Sequence, residues 1–191
     1  MLGHLHNHIH QNFDTATLHA TMPINVKKGQ GQTPATDSLI QALLGKPLCY
    51  HLPEHPLNRP GDVTAPVVGG NLSMLYSLLG SPSDLNTDGK ILFIEDLDEY
   101  LYHIDRMMTN LERNGKLAKL AGLLVGHLSD MHDNTIPYGK NAEEIVAEHC
   151  AKYNFPVFFN FPAGHLPDNR ALRLGLPMRI EIENNVVITE N

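Results

Sequence analysis

The apolar positions change period along this chain. Leu2, Leu5 and Ile9 recur at spacings of three and four, with Phe13 one turn later, which is the pattern of one helix face. The segment from Asp14 to Ala20 leads to Met22-Pro23, where proline biases the preceding residue towards an extended form. Residues 27–34, KKGQGQTP, are polar and glycine-containing and read as a loop. Thr36 or Asp37 can cap a short helix, Ser38 to Leu44, that stops at Gly45 and Pro47. Pro47, Pro53, Pro56, Pro60 and Pro66 then punctuate a stretch with few helix formers. It reads as a crossing linker with short strands around 48–53 and 61–68. A domain boundary falls near 45–60, and the portion before it is too short to be a domain.

Beyond the linker the pattern becomes regular. Gly69-Gly70-Asn71 leads into a helix with Leu72, Leu75, Tyr76 and Leu79 on one face, ended by Gly80 and Pro82. ILFIED (91–96) is an unbroken apolar run ending in acids, as expected of a strand buried on both faces. Asp98 and Glu99 sit where a helix N-terminus favours negative charge. Leu101, Ile104, Met108 and Leu111 form the stripe of the helix that follows, closed by Asn114-Gly115. LAGLLVG (120–126) and PVFFNF (156–161) read as two more buried strands, with a helix over 141–152 that turns Ile145, Val146 and His149 inward. The tail alternates and turns at Asn184-Asn185, which suits antiparallel hairpins. Strands alternating with helices, then hairpins, predict a mixed α/β domain. Its core is expected at Leu92, Phe93, Ile94, Leu123, Val125, Val157, Phe158 and Phe159.

Composition narrows the function classes. Over 191 residues the formal net charge is −7, with 42% hydrophobic and 18% charged residues, ordinary for a globular chain and unfavourable for nucleic acid or anionic membranes. No apolar run approaches the ~20 residues that span a bilayer. The start, MLGHLHNHIHQNF, has no basic region followed by an apolar one, so no signal peptide is expected and a cytoplasmic location follows. Cys49 and Cys150 form no CxxC motif and read as two reduced, mostly buried thiols, the alternative being a bridge.

Glu95 ends an apolar strand, and His165 follows another through Pro162-Ala163-Gly164. The carboxyl ends of strands in α/β folds open onto the ligand crevice, so these residues, remote in sequence, can meet at one rim. A carboxylate beside an imidazole fixes its tautomer and stabilises the imidazolium, which makes the ring a general base. The alternative is a helix-capping acid and a solvent-exposed loop histidine. No GxSxG elbow occurs. Ser129-Asp130 reads as a candidate nucleophile or a polar loop, and Ser73 as a capping or surface hydroxyl. His4, His6, His8 and His10 on a helix would make two i, i+4 pairs able to ligate zinc, or a polar helix surface. Gly69-Gly70-Asn71 offers backbone N–H groups to an anion, or simply turns a strand into a helix.

In combination and order, GGNLSMLYSLLGSP (69–82), GKILFIEDLDEYLYHIDRMMTNLERNGKL (89–117), FPAGH (161–165) and ALRLGLP (171–177) resemble the LD-carboxypeptidase family, the muramoyltetrapeptide carboxypeptidases. The resemblance covers nearly the whole chain. It implies a serine peptidase with a Ser-Glu-His triad and no metal or other cofactor. Such an enzyme removes the terminal D-alanine from muropeptide tetrapeptides in cell-wall recycling. By position the acid is Glu95 and the base His165. The segment LHNHIHQNFDTATLHATMP (5–23) is similar to the stretch that follows the family's nucleophile. His19 to Pro23 then lie at a His-Gly-Pro-like turn, in which Ala20-Thr21 depart from the family's Gly-Pro. The serine, in a Gly-x-Ser-Asp turn, is expected one or two residues before Met1, which makes this chain a truncated, inactive form.

The implied organisation is a remnant of the α/β nucleophile domain at 1–45, a linker and crossing strands at 46–68, and a C-terminal domain at 69–191. That last domain would be a mixed sheet or barrel-like unit with flanking helices. The resemblance implies a homodimer. Without a partner layer, apolar faces such as Leu5, Ile9 and Leu39 are expected in water. Two further readings compete: a His-rich zinc metallohydrolase using His4, His6 or His8 with a carboxylate, and a non-catalytic module that binds wall peptides.

Overall fold

The computed structural model describes residues 2–13, 15–26, 31–183 and 186–190; the side chains of residues 2–5 and 11 lie outside the described set. The chain opens with helix α1 (Leu2–Asn12), short strand β1 (Thr17–His19) and helix α2 (Pro34–Leu43). The last begins four residues before the expected start. Thr33 caps it in a reciprocal box with Thr36, and Pro34 occupies the first helical position. Strands β2 (Cys49–Leu52) and β3 (Gly61–Asn71) follow, then α3 (Leu72–Leu78), β4 (Ile91–Leu97), α4 (Leu101–Arg113), β5 (Gly122–Ser129) and α5 (Ala142–Cys150). The chain closes with β6 (Val157–Phe158), β7 (Leu172–Leu174), β8 (Pro177–Ile182) and β9 (Val186–Glu190).

One seven-stranded mixed sheet runs in the order β2-β9-β8-β3-β4-β5-β6, and β1 pairs with β7 in a separate ribbon. β3 joins two styles of pairing: Gly61 to Pro66 run antiparallel to β8, and Val67 to Asn71 run parallel to β4. The change falls at Pro66, which stands opposite Pro177. Neither residue has an N–H to give, so the β3–β8 register ends there without leaving a donor unpaired, and Val67 continues the bonding to Leu176 O and Gly175 N.

The unbroken apolar run of β4 is explained by two cores. Leu92 and Ile94 pack under α3, α4 and α5, whereas Ile91 and Phe93 pack on the opposite face among β2, β7, β8 and β9. All eight residues expected in the core are buried. β6 is shorter than its apolar run, because Phe159 and Phe161 pack from irregular chain beyond it. Asp98 and Glu99 stand just before α4, whose N-cap is Tyr100, and the two acids pair with His132 and His103. Two local expectations change. Cys49 is exposed on β2, and both cysteines are free thiols. Towards the N-terminus Ile24, Leu43 and Leu44 are among the exposed apolar residues (83%, 70% and 66%), while Ile9 and Leu39 are part-buried; the Leu5 side chain and Asn184-Asn185 lie outside the described residues. No helix among the described residues is long and apolar enough to cross a membrane.

One buried residue, Ala171, helps tie the N-terminal elements to the sheet. The Ala171 N–H donates to Ser38 Oγ of α2 at 2.9 Å, and the Ala171 carbonyl accepts from the Tyr50 hydroxyl of β2 at 2.7 Å. Ser38→Ala strands that N–H in the core and is expected to cost about 1–3 kcal/mol. Urea unfolding measures it; unchanged stability would contradict the role given to this bond.

Candidate active site

The strand ends that carry the acids also set their directions. β4 alternates, so Glu95 continues the face of Ile91 and Phe93, and Asp96 continues the face of Leu92 and Ile94. The pairing slips at this point: Ile94 faces Val125 while Asp96 faces Leu128, so β5 carries an extra residue opposite Glu95. Such a bulge re-aims side chains at the end of a strand. Two glycines make room. A Cβ on Gly126 would lie 2.6 Å from the Ala163 carbonyl oxygen and 3.1 Å from Glu95 Cβ. One on Gly164, whose φ is +123°, would lie 3.0 Å from Glu95 Oε2. The loop carrying His165 is laced to β5, with Phe161 N–H on Val125 O at 3.0 Å and His127 N–H on Ala163 O at 2.9 Å.

This geometry places His165 Nδ1 at 2.9 Å from Glu95 Oε2. The Glu95 side chain is 4% exposed and the imidazole 48% exposed. Burial pushes the Glu95 carboxyl up, and the neighbouring Asp96 charge adds to this; His165 and the Asn71 carboxamide oppose it by favouring the ionised form. Asp96 is buried too and is likewise pushed up, against hydrogen bonds from Leu97 N, Ser73 N and Asn71. Both members of the carboxylate–imidazole pair lie in the wall of an open cavity of about 920 Å³. The opposite wall comes from β1, the following turn and the start of α2, including His19, Thr21, Ile24 and Ala35. No lysine or arginine lines it among the described residues.

The other sequence candidates scatter. Ser73 Oγ donates to Asn71 Oδ1 at 2.7 Å, and Ser129 Oγ donates to the His165 backbone carbonyl at 3.4 Å, so neither hydroxyl is bonded to the ring. Asp130 stands beside Ser129 with φ of +51°. Gly69 and Gly70 are the last turn of β3 before Asn71 caps α3; a Cβ on Gly69 would lie 2.0 Å from the Phe93 carbonyl oxygen, so close strand approach accounts for it. His8 meets Ser83 at 2.8 Å and His10 meets Thr17 at 2.9 Å, while His6 lines the cavity. The His4 side chain lies outside the described residues. Among those described, no three His, Cys, Asp or Glu side chains are grouped to hold a metal ion.

Two features of the site escaped the sequence reading. Asn71 has a cap signature, a polar residue just before an apolar-periodic run, but its bond to Asp96 depends on the neighbouring strand. His19 sits edge-on to Phe93 at 5.2 Å between centroids, with Nε2 buried and without a partner. Burial, helped by the nearby His6 and His165 and opposed by Asn169, lowers its pKa to about 4. The unfolded chain protonates His19 near pH 6.5, so its contribution is fully present above that value and is lost as pH falls towards 4. The loss is on the order of 3 kcal/mol. Glu95 and Asp96 act in the opposite sense, because the folded state takes up their protons first. Urea unfolding between pH 7 and 4.5 is expected to show a smaller loss of stability in His19→Gln than in the parent; equal losses would contradict a neutral His19 with its Nε2 buried.

Comparison with known proteins adds three findings. Residues 64–180 match the family model of the LD-carboxypeptidase C-terminal domain. The "Probable murein peptide carboxypeptidase" of Bacillus subtilis is 33% identical over 194 residues, covering 97% of this chain and 59% of that protein. The "Murein tetrapeptide carboxypeptidase" of Pseudomonas aeruginosa is 26% identical over 155 residues, covering 80% of this chain and 50% of that protein. The crystal structure of the muramoyltetrapeptide carboxypeptidase from Oxalobacter formigenes superposes with a TM-score of 0.88 at 21% identity, over 100% of this chain and 65% of that one, which establishes the shared fold. This chain thus spans less than two thirds of the length of each.

Proposed function

This chain belongs to the LD-carboxypeptidase family, and on that premise we propose that Glu95 and His165 are the acid and base of a serine peptidase site. The reading is of a cytoplasmic enzyme that removes the terminal D-alanine from muropeptide tetrapeptides in cell-wall recycling. The observation that carries it is the 2.9 Å bond between a buried carboxylate and a half-exposed imidazole in a cavity wall. With Nδ1–H donating to ionised Glu95, Nε2 keeps its lone pair. A hydroxyl brought within ~3 Å of Nε2 passes its proton to the ring as its oxygen attacks the carbonyl preceding D-alanine. Glu95 holds the imidazolium until the ring protonates the departing amine. Water then repeats the sequence on the acyl group. The substrate class is supported by the murein peptides in the names of the relatives.

In this reading the hydroxyl belongs, as the family resemblance implies, to a serine of a Gly-x-Ser-Asp turn N-terminal to Met1; Ser73 and Ser129 are bonded away from the ring. Residues 1–45 belong with the nucleophile domain, 46–68 link, and 69–191 form the C-terminal domain. The exposed Ile24, Leu43 and Leu44 then face the rest of the nucleophile domain, and two copies associate as a homodimer.

The test is D-alanine release from a muropeptide tetrapeptide by residues 1–191, by a form extended upstream through the serine turn, and by His165→Ala in both. Residues 1–191 are expected to stay at background. The extended form is expected to turn over, unaffected by chelators, and to lose ~10⁴–10⁶-fold with His165→Ala. Robust turnover that survives His165→Ala would contradict the assignment. Tetrapeptide binding without hydrolysis by the extended form would replace it with a binding module, and chelator-sensitive turnover with a metallohydrolase.

A further inference from the structure

A buried carboxylate next to a second buried carboxylate is poorly placed to remain ionised, yet it is the ionised Glu95 that accepts most strongly from His165 and steadies an imidazolium. A proton on Glu95 Oε2 would donate to Nδ1 and leave the ring's own proton on Nε2, the wrong tautomer for a base facing the cavity. Something must favour the anion. The groups around Glu95 are His165 across from it, Asp96 next along the strand and Asn71, its register partner on β3.

The Asn71 carboxamide has only one orientation available. Its Oδ1 accepts from Met74 N at 3.1 Å and from Ser73 Oγ at 2.7 Å, which commits the oxygen to the start of α3. Its Nδ2 therefore points at Asp96 of β4 and donates to Asp96 Oδ1 at 2.8 Å. Reversing the amide would set oxygen against carboxylate and nitrogen against two donors. Asp96 is itself pinned: Oδ2 accepts from Ser73 N at 2.8 Å and Oδ1 from Leu97 N at 2.9 Å. Asn71 Nδ2 has a second hydrogen, and the residue shares the cavity wall with Glu95.

We propose that Asp96 and Asn71 are positioning residues. Asp96 anchors the Asn71 carboxamide as a fixed donor beside Glu95, which keeps Glu95 the acceptor and His165 in its Nδ1–H form. The inference rests on the Glu95–His165 reading above. It gives the second acid of the Glu-Asp pair a task distinct from that of the first. Asp96 does not touch the imidazole; it acts through Asn71.

The tautomer of His165 reports this without any need for turnover. Residues 1–191 labelled with ¹⁵N-histidine show which ring nitrogen bears the proton, at a pH above the titration of the ring. The parent is expected to carry it on Nδ1. Asn71→Ser keeps a capping oxygen for α3 but cannot reach Glu95, and it is expected to move the proton predominantly to Nε2. Asp96→Ala is expected to move it the same way. That direction is diagnostic, because removing a negative neighbour would by itself favour ionised Glu95 and the Nδ1–H form. Leu75→Ala, buried in the same helix, is expected to lower the melting temperature and leave the tautomer unchanged. Should Asp96→Ala fail to fold, Asn71→Ser decides. A proton that stays on Nδ1 in Asn71→Ser overturns the proposal and leaves the Glu95–His165 pair standing. A parent with the proton on Nε2 overturns that pair as well.

Discussion

The site depends on one hydrogen bond between unlike environments. Glu95 lies in the cavity wall with its side chain nearly without water, and His165 beside it stands half in solvent. The inequality is useful. A desolvated carboxylate makes a strong, directional acceptor, and a ring with one solvated edge can exchange its other proton with whatever enters the cavity. Burying both would cost more than the bond returns, and exposing both would leave the pair weak and mobile.

Most of the surrounding architecture can be understood as the means of making that bond. Pro66 opposite Pro177 lets β3 leave its antiparallel neighbour and turn to β4, which brings Asn71 level with Glu95. The slip between β4 and β5 turns Glu95 out of the ladder, and Gly126 and Gly164 clear the space that its side chain fills. On the far face the alternation delivers Asp96 to the start of α3. Two adjacent acids thus serve opposite sides of one sheet. β1 and the start of α2 supply further lining of the cavity, and they are held in place by Ser38 and by the β1–β7 ribbon.

Much of this was legible beforehand, for physical reasons. Buried runs such as ILFIED leave no choice of face, and helix stripes ended by glycine or proline mark their own limits. The Glu95 and His165 positions followed from strand ends, and the structure brings the two side chains together; their catalytic role is a proposal. What the sequence concealed was contact between distant segments. Thr33 as the cap of α2 was hidden by a reading that began at Ser38. β1 is only three residues long, and it exists because β7 pairs with it. The partners of Asp98 and Glu99 before α4 are histidines, one local and one on the next strand's loop, and only the fold brings the second within reach. Asp96 looked like the twin of Glu95, and only the pleat of the strand separates their surroundings.

The claim on which the account turns is that Glu95 and His165 interact strongly enough to act as one unit. A double-mutant cycle measures this directly: urea unfolding at pH 6.5 for the parent, Glu95→Ala, His165→Ala and the double variant. The account predicts a coupling energy of about 1–2 kcal/mol between the two positions. Additive losses, with coupling below about 0.3 kcal/mol, would contradict it.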